Sequence, residues 1–301
     1  MLPLSPRHST AATRLVDRRI HCVRAIIACL LLGFANSACV HAEQSLPDSG
    51  VDPAWSAHTA ISPDDTRIPY LLQLQADRNG PAPVLVFFHA APGGRGLEGL
   101  QSLAKPERWD PFLAAGWAVC VADYRGHTPN RPFEVLRGPV NATDDVAAVL
   151  TALSEREDLD GDRVAVMGNS LGGAITLQAV ADGKITPRCL VLNAPASFRF
   201  IGLRGRPMRD QPLTDADIDR PAAMKRVAAI TPPVLLIQGT ADGLSPINEK
   251  LAELLRAAGQ DVQLELYPDQ GHSFTNGPDS PAFRDAVAQS LSFVQQHTTS
   301  P

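Results

Sequence analysis

The feature that most constrains this chain is a repeated alternation of short apolar runs with stretches of helical spacing. Residues 84–88, 117–121, 164–167, 189–192 and 234–237 are apolar throughout, as strands buried on both faces are. Residues 262–266 alternate apolar and polar side chains, the pattern of a half-exposed edge strand. Between them lie apolar residues at helical spacing: Val146, Val149 and Leu153; Leu251, Leu254 and Leu255; Val287, Leu291 and Val294. Residues 54–74, split by the turn Ser62-Pro63-Asp64-Asp65, add an antiparallel pair at one edge. Together these predict an α/β fold, a mostly parallel eight-stranded sheet with helices on both faces.

One segment breaks the rhythm. Residues 195–232 are too long for a plain connection and carry Arg199, Arg204, Arg206 and Arg209, then Asp215, Asp217 and Asp219. They are expected to form a small cap on the main domain, 54–298. No internal repeat or second domain boundary is visible.

The N-terminus has its own pattern. Arg7, Arg14, Arg18, Arg19 and Arg24 precede an apolar run over 25–35, and Val40-His41-Ala42 ends it before Glu43. A basic region, a short apolar core and a small-x-Ala junction are the parts of a secretory signal peptide. The run is shorter than the ~20 residues of a spanning helix. Residues 1–42 therefore read as an export signal to the periplasm or exterior, with no stable membrane insertion after processing. A lipid on Cys39 is the side reading, and 43–53 would be a flexible entry segment.

Removing a leader with five Arg and one Asp leaves 22 basic against 31 acidic side chains, a net charge of −9. A chain that acidic repels a polyphosphate backbone, which argues against nucleic acid as a partner. Only Cys120 and Cys189 remain, each inside an apolar run, and they read as two core thiols. No Cys/His spacing resembles a zinc site.

The chemistry is concentrated at three strand ends. Gly168-Asn169-Ser170-Leu171-Gly172 follows one apolar run and opens a helical one. A serine between glycines at that junction sits on a sharp strand-to-helix turn, where side chains at Gly168 and Gly172 would strike backbone. The helix N-terminus aims free N–H groups at whatever the serine attacks, Leu171 N–H among them. Asp242, in Gly239-Thr240-Ala241-Asp242, follows the next-to-last strand. His272, in Gly271-His272-Ser273-Phe274, follows the last. All three fall where open α/β sheets place their sites, in the order Ser, Asp, His. Asp269 is the next candidate for the acid.

With Asp123-Tyr124-Arg125-Gly126, these motifs resemble the α/β-hydrolases, and more narrowly the prolyl oligopeptidase catalytic domain and its dienelactone-hydrolase-like relatives. The likeness runs over 84–294. It implies Ser170 as nucleophile, His272 as base and acid, and Asp242 as the carboxylate that fixes the tautomer of His272. Where family members often carry His-Gly-Gly-Pro, this chain has His89-Ala90-Ala91-Pro92, so the second oxyanion donor falls on Ala90 N–H. His89 itself reads as a structural residue of the loop.

Other patterns are set aside. Gly94-Arg95-Gly96-Leu97-Glu98-Gly99 matches a dinucleotide fingerprint, yet it does not follow its strand directly and Lys105-Pro106 interrupts the helix. Asp158, Asp160 and Asp162 open like a calcium loop, but Arg163 stands where the glycine belongs, so an acidic turn is expected. Asn141-Ala142-Thr143 reads as a helix cap before Asp144. The expectation is an exported serine hydrolase of small esters or amides, with no metal or organic cofactor. Its rivals are an exopeptidase acting on short peptides and a non-catalytic binding protein on the same fold.

Overall fold

The computed structural model describes residues 52–75, 78–128, 130–205, 211–277 and 280–299. The leader 1–42, the entry segment up to residue 51, and Arg206 and Arg209 of the cap lie outside the described residues.

Strands β1 (Ser56–Ile61) and β2 (Arg67–Gln73) form an antiparallel hairpin, and β2 runs antiparallel to β4 (Ala118–Ala122). The rest of the sheet is parallel: β3 (Ala82–Phe88), β5 (Leu159–Asn169), β6 (Cys189–Asn193), β7 (Val234–Gly239) and β8 (Val262–Tyr267). The order is β1-β2-β4-β3-β5-β6-β7-β8, which leaves the alternating strand β8 at an edge.

Alternation along each strand divides the core between two faces. Val84, Val86 and Phe88 pack on one face with α3 (Ala142–Ser154), α4 (Leu171–Ala181), α5 (Arg220–Val227) and α6 (Ser245–Ala257). Leu85 and Phe87 pack on the other with α1 (Gly96–Gln101), α2 (Pro106–Ala114) and α7 (Pro281–Thr298). Each such side chain contributes about 1.5–3 kcal/mol by leaving water. Cys120 faces the first layer and Cys189 the second, so the sheet separates the two free, buried thiols. Asn141 caps α3 in a capping box with Asp144.

Three expectations need correction. Asp160 and Asp162 are not in a turn: β5 begins at Leu159, and the turn is confined to the residues before it. Between pairings Ala82↔Leu159 and Val84↔Val164 the β5 side has extra residues, so the acidic stretch bulges from the ladder. Prolines conceal α2, because Pro106 occupies the first turn, where its missing N–H costs nothing. The segment 195–232 contains α5, the crossover helix from β6 to β7, and buries Phe200, Ile201, Ile218, Val227 and Ile230 in the core. Among the described residues no helix is long and apolar enough to cross a membrane.

The glycine-rich loop after β3 is organised by one carboxylate. Asp123, 1% exposed at the end of β4, accepts hydrogen bonds from His89 Nε2 (3.0 Å) and from the amides of Gly94 (3.0 Å), Gly96 (2.8 Å) and Tyr124 (2.8 Å). The dinucleotide-like glycines thus wrap around a side chain of the chain itself. Asp123→Asn turns an amide NH2 toward donors. It is expected to cost about 2–4 kcal/mol, read as a lower urea midpoint at unchanged slope. An unchanged midpoint would show that the loop does not depend on this carboxylate.

Candidate active site

The parallel sheet aligns the carboxyl ends of β5, β7 and β8, and the three residues singled out by motif meet there. Ser170 leaves β5 at φ 50° and ψ −110°, a strained conformation costing on the order of 1–3 kcal/mol. It is held on both sides: its N–H donates to Asn193 O (2.9 Å), and its carbonyl accepts from Ala196 N (2.9 Å) and Ala174 N (3.1 Å). The flanking glycines are steric requirements. A Cβ on Gly168 would lie 2.5 Å from Gly173 Cα, and one on Gly172 would lie 2.3 Å from Phe88 O.

From β7 and β8 come the partners. Asp242 Oδ2 accepts from His272 Nδ1 at 2.7 Å, so the ring carries its neutral-state proton on Nδ1. That leaves Nε2 to accept from Ser170 Oγ at 2.9 Å. Burial pushes the Asp242 carboxyl up, but hydrogen bonds from His272, Leu244 N–H (3.0 Å) and Gln238 outweigh it and hold the carboxyl below its ordinary value. The hydrogen bond to Asp242 raises the His272 pKa above 6.5, against the opposing effect of burial. Asp269 makes no hydrogen bond to this histidine; its amide donates to Thr240 Oγ1 at 3.0 Å.

The loop bearing Ala90 starts beside the same elbow, because Gly172 packs against the carbonyls of Phe88 and His89. Leu171 is the first residue of α4, so its N–H has no acceptor within the helix. Ala90 N–H has no acceptor among the described residues. The Ala90 carbonyl accepts from Arg95 Nη2 (3.4 Å), and Arg95 also donates to Ala91 O (3.1 Å) and Pro92 O (3.2 Å). An arginine fork thus ties down the Ala90-Ala91-Pro92 loop. His89 is 1% exposed and bound to Asp123, a structural residue as expected.

Sequence reasoning missed the support behind Asp242. Gln238 Nε2 donates to Asp242 Oδ2 (3.0 Å) while its Oε1 accepts from Asn248 Nδ2 (2.6 Å). Asn248 Oδ1 in turn accepts from Ser197 Oγ (2.6 Å). All three supporting side chains are fully buried. The available signal was an amide ending the apolar run of β7, a position where an unpaired polar group is costly. Among the described residues no His, Cys, Asp or Glu cluster is arranged to hold a metal ion. Of the cap arginines, Arg199 lies 5.0 Å over the Phe133 ring.

The raised His272 pKa has a testable sign. Its pairing with Asp242 stabilises the fold fully below pH 6.5, the unfolded value, and that contribution is lost as pH rises through the higher folded value. Asp242→Asn is expected to move the His272 titration, followed by ring-proton NMR, down toward 6.5. A titration that stays where it was would show that Asp242 is not the cause.

Comparison with known proteins identifies the family and the fold. The model of the prolyl oligopeptidase family matches residues 107–300. An uncharacterized protein of Mycobacterium tuberculosis is 31% identical over 180 residues, covering 58% of this chain and 60% of that protein. Dipeptidyl aminopeptidase BIII of Pseudoxanthomonas mexicana is 26% identical over 263 residues, covering 77% of this chain and 37% of its own length. The matched stretches thus span less than two thirds of these relatives. A solved thermostable esterase from Pseudomonas putida superposes with a TM-score of 0.62 at 20% identity, covering 84% of this chain and 85% of its own. The chain belongs to the prolyl oligopeptidase family, on an α/β-hydrolase fold.

Proposed function

We propose that this protein is a serine hydrolase that cleaves small carboxylic esters, or amides, through an acyl-enzyme. The observation that carries the reading is the unbroken hydrogen-bond chain from Asp242 through His272 to Ser170, on a strained turn at a helix N-terminus. Ser170 Oγ attacks the carbonyl carbon as His272 Nε2 takes its proton. Leu171 and Ala90 N–H groups receive the developing oxyanion, where removing one such donor typically costs about 10²–10³ in rate. His272 returns the proton to the leaving group, and water activated by the same nitrogen releases the acid. Asp242 keeps the Nδ1–H tautomer and stabilises the imidazolium, and Gln238 positions Asp242.

Family membership also supports a second reading, an exopeptidase acting on short peptides. Paired p-nitrophenyl esters and aminoacyl p-nitroanilides separate the two. Phe200, Ile201 and Ile218 of the segment 195–232 are packed into the core and so offer little apolar surface to a long acyl chain. Acyl chains of about C2–C6 are therefore expected to exceed laurate and palmitate esters by roughly tenfold in kcat/KM. A preference for the long chains would refute this.

Ser170→Ala is expected to abolish labelling by a fluorophosphonate and to lower turnover by about 10⁴ or more, with the fold retained. Undiminished labelling would exclude Ser170 as nucleophile, and a wild-type chain that resists the probe would favour a binding protein. Because His272 must be neutral to accept a proton, the acid limb of kcat/KM is expected above pH 6.5.

Export is also proposed, from the basic, apolar and small-residue pattern of residues 1–42. Expression in a Gram-negative host is expected to yield periplasmic protein beginning at Glu43. Protein retaining residues 1–42 on the membrane would refute it.

A further inference from the structure

The Asp242 oxygen that meets His272 has a second donor. Oδ2 accepts from His272 Nδ1 at 2.7 Å and from Gln238 Nε2 at 3.0 Å, while Oδ1 accepts from Leu244 N–H at 3.0 Å. An ionised carboxylate only accepts, so Gln238 must turn its NH2 group toward it. The other proton of that group goes to Gly239 O at 2.8 Å. Gln238 Oε1 is then left as an acceptor, and Asn248 Nδ2 donates to it at 2.6 Å. Asn248 Oδ1 accepts in turn from Ser197 Oγ at 2.6 Å. Each amide has one orientation that matches both of its neighbours, and the reverse sets like groups against each other. Gln238, Asn248 and Ser197 are all 0% exposed, so bulk water cannot repair a reversed amide.

The relay ends on a segment already bound to the nucleophile. Asn193 O accepts from Ser170 N–H, and Ala196 N–H donates to Ser170 O, both at 2.9 Å. Ser197 is the next residue. Strand β6 lies between β5, which delivers Ser170, and β7, which precedes Asp242. The stretch that leaves β6 therefore grips the serine by its backbone and reaches the acid through three side chains.

We propose that Ser197 and Asn248 are positioning residues that act through Gln238 and hold the Asp242 carboxylate in register with Ser170. The inference rests on the hydrolase reading and deepens it: the hold of Gln238 on Asp242 depends on Asn248, on α6, and on Ser197, after β6. The same segment thereby sets the nucleophile and the acid relative to each other.

The test separates positioning from packing. Gln238→Met keeps the length of the side chain but cannot donate, and Asn248→Leu removes the donor to Gln238. Each is expected to lower kcat on p-nitrophenyl acetate at nearly unchanged KM, Gln238→Met by roughly ten- to a hundredfold and Asn248→Leu by less. A triple variant, Gln238→Met with Asn248→Leu and Ser197→Ala, replaces every member of the relay by an apolar group and leaves none of them unpaired. Such replacement is close to neutral for stability, which guards against single variants that fail to fold. The triple variant is expected to regain the wild-type urea midpoint while kcat stays low. Recovery of wild-type kcat in the triple variant would show that the relay only packs the core, and would overturn the proposal.

A spectroscopic signal needs no turnover. In protein labelled with 15N-histidine, the His272 Nδ1–H resonance reports its hydrogen bond to Asp242. It is expected to move upfield or broaden by exchange in Gln238→Met and in the triple variant. An unchanged or downfield resonance in folded variants would overturn the positioning role, and with a fluorophosphonate-labelled wild type it would leave the hydrolase reading standing. A wild type that resists the probe, with variants in which the resonance still moves upfield, would remove the hydrolase reading and support the link from Ser197 to Asp242.

Discussion

Everything at the site depends on one backbone contact, the approach of Gly172 at the start of α4 to the carbonyls of Phe88 and His89 at the end of β3. No side chain fits between them. The contact brings a helix N-terminus and the Ala90 loop to the same place, so the two proposed oxyanion donors come from adjacent backbone. It also forces Ser170 into positive φ, and Asn193 O, Ala196 N and Ala174 N hold it there. Strain of this kind persists only where the surroundings over-determine it, and three hydrogen bonds with two steric walls do so here.

The second layer of organisation is polar and lies where apolar strands stop. Gln238 ends its apolar run within β7, Asp123 follows β4, and each is buried with its polar atoms engaged. Gln238 links Asp242 to Asn248 and through it to Ser197 at the start of the cap segment, while Asp123 gathers the loop after β3. An apolar residue at either place would pack as well but leave buried donors or acceptors unmatched, at about 1–3 kcal/mol each. These groups hold Asp242 and the loop after β3 in place.

Much of this was readable in advance. Runs such as 84–88 and 234–237 are β3 and β7 because only a strand buried on both faces tolerates uninterrupted apolar residues. The glycines around Ser170 and the motifs at Asp242 and His272 were equally plain, since their chemistry is local in sequence. What misled was local too: Pro106 looks like a helix breaker but is a helix start, and Asp160 and Asp162 look like a turn but belong to a bulged strand. The helix α5 was hidden in a charged segment because its apolar face is short, with Ala223 and Val227 buried.

The sequence by itself determined the class of fold and the strand-end motifs that carry Ser170, Asp242 and His272, because periodicity and turn sterics act over a few residues. Only the tertiary structure decided that Asp242 rather than Asp269 is hydrogen-bonded to His272, that Gln238 stands behind Asp242, and that Asp123 closes on Gly94 and Gly96. These are contacts between chain segments far apart in sequence, and no local pattern encodes a distance across a sheet.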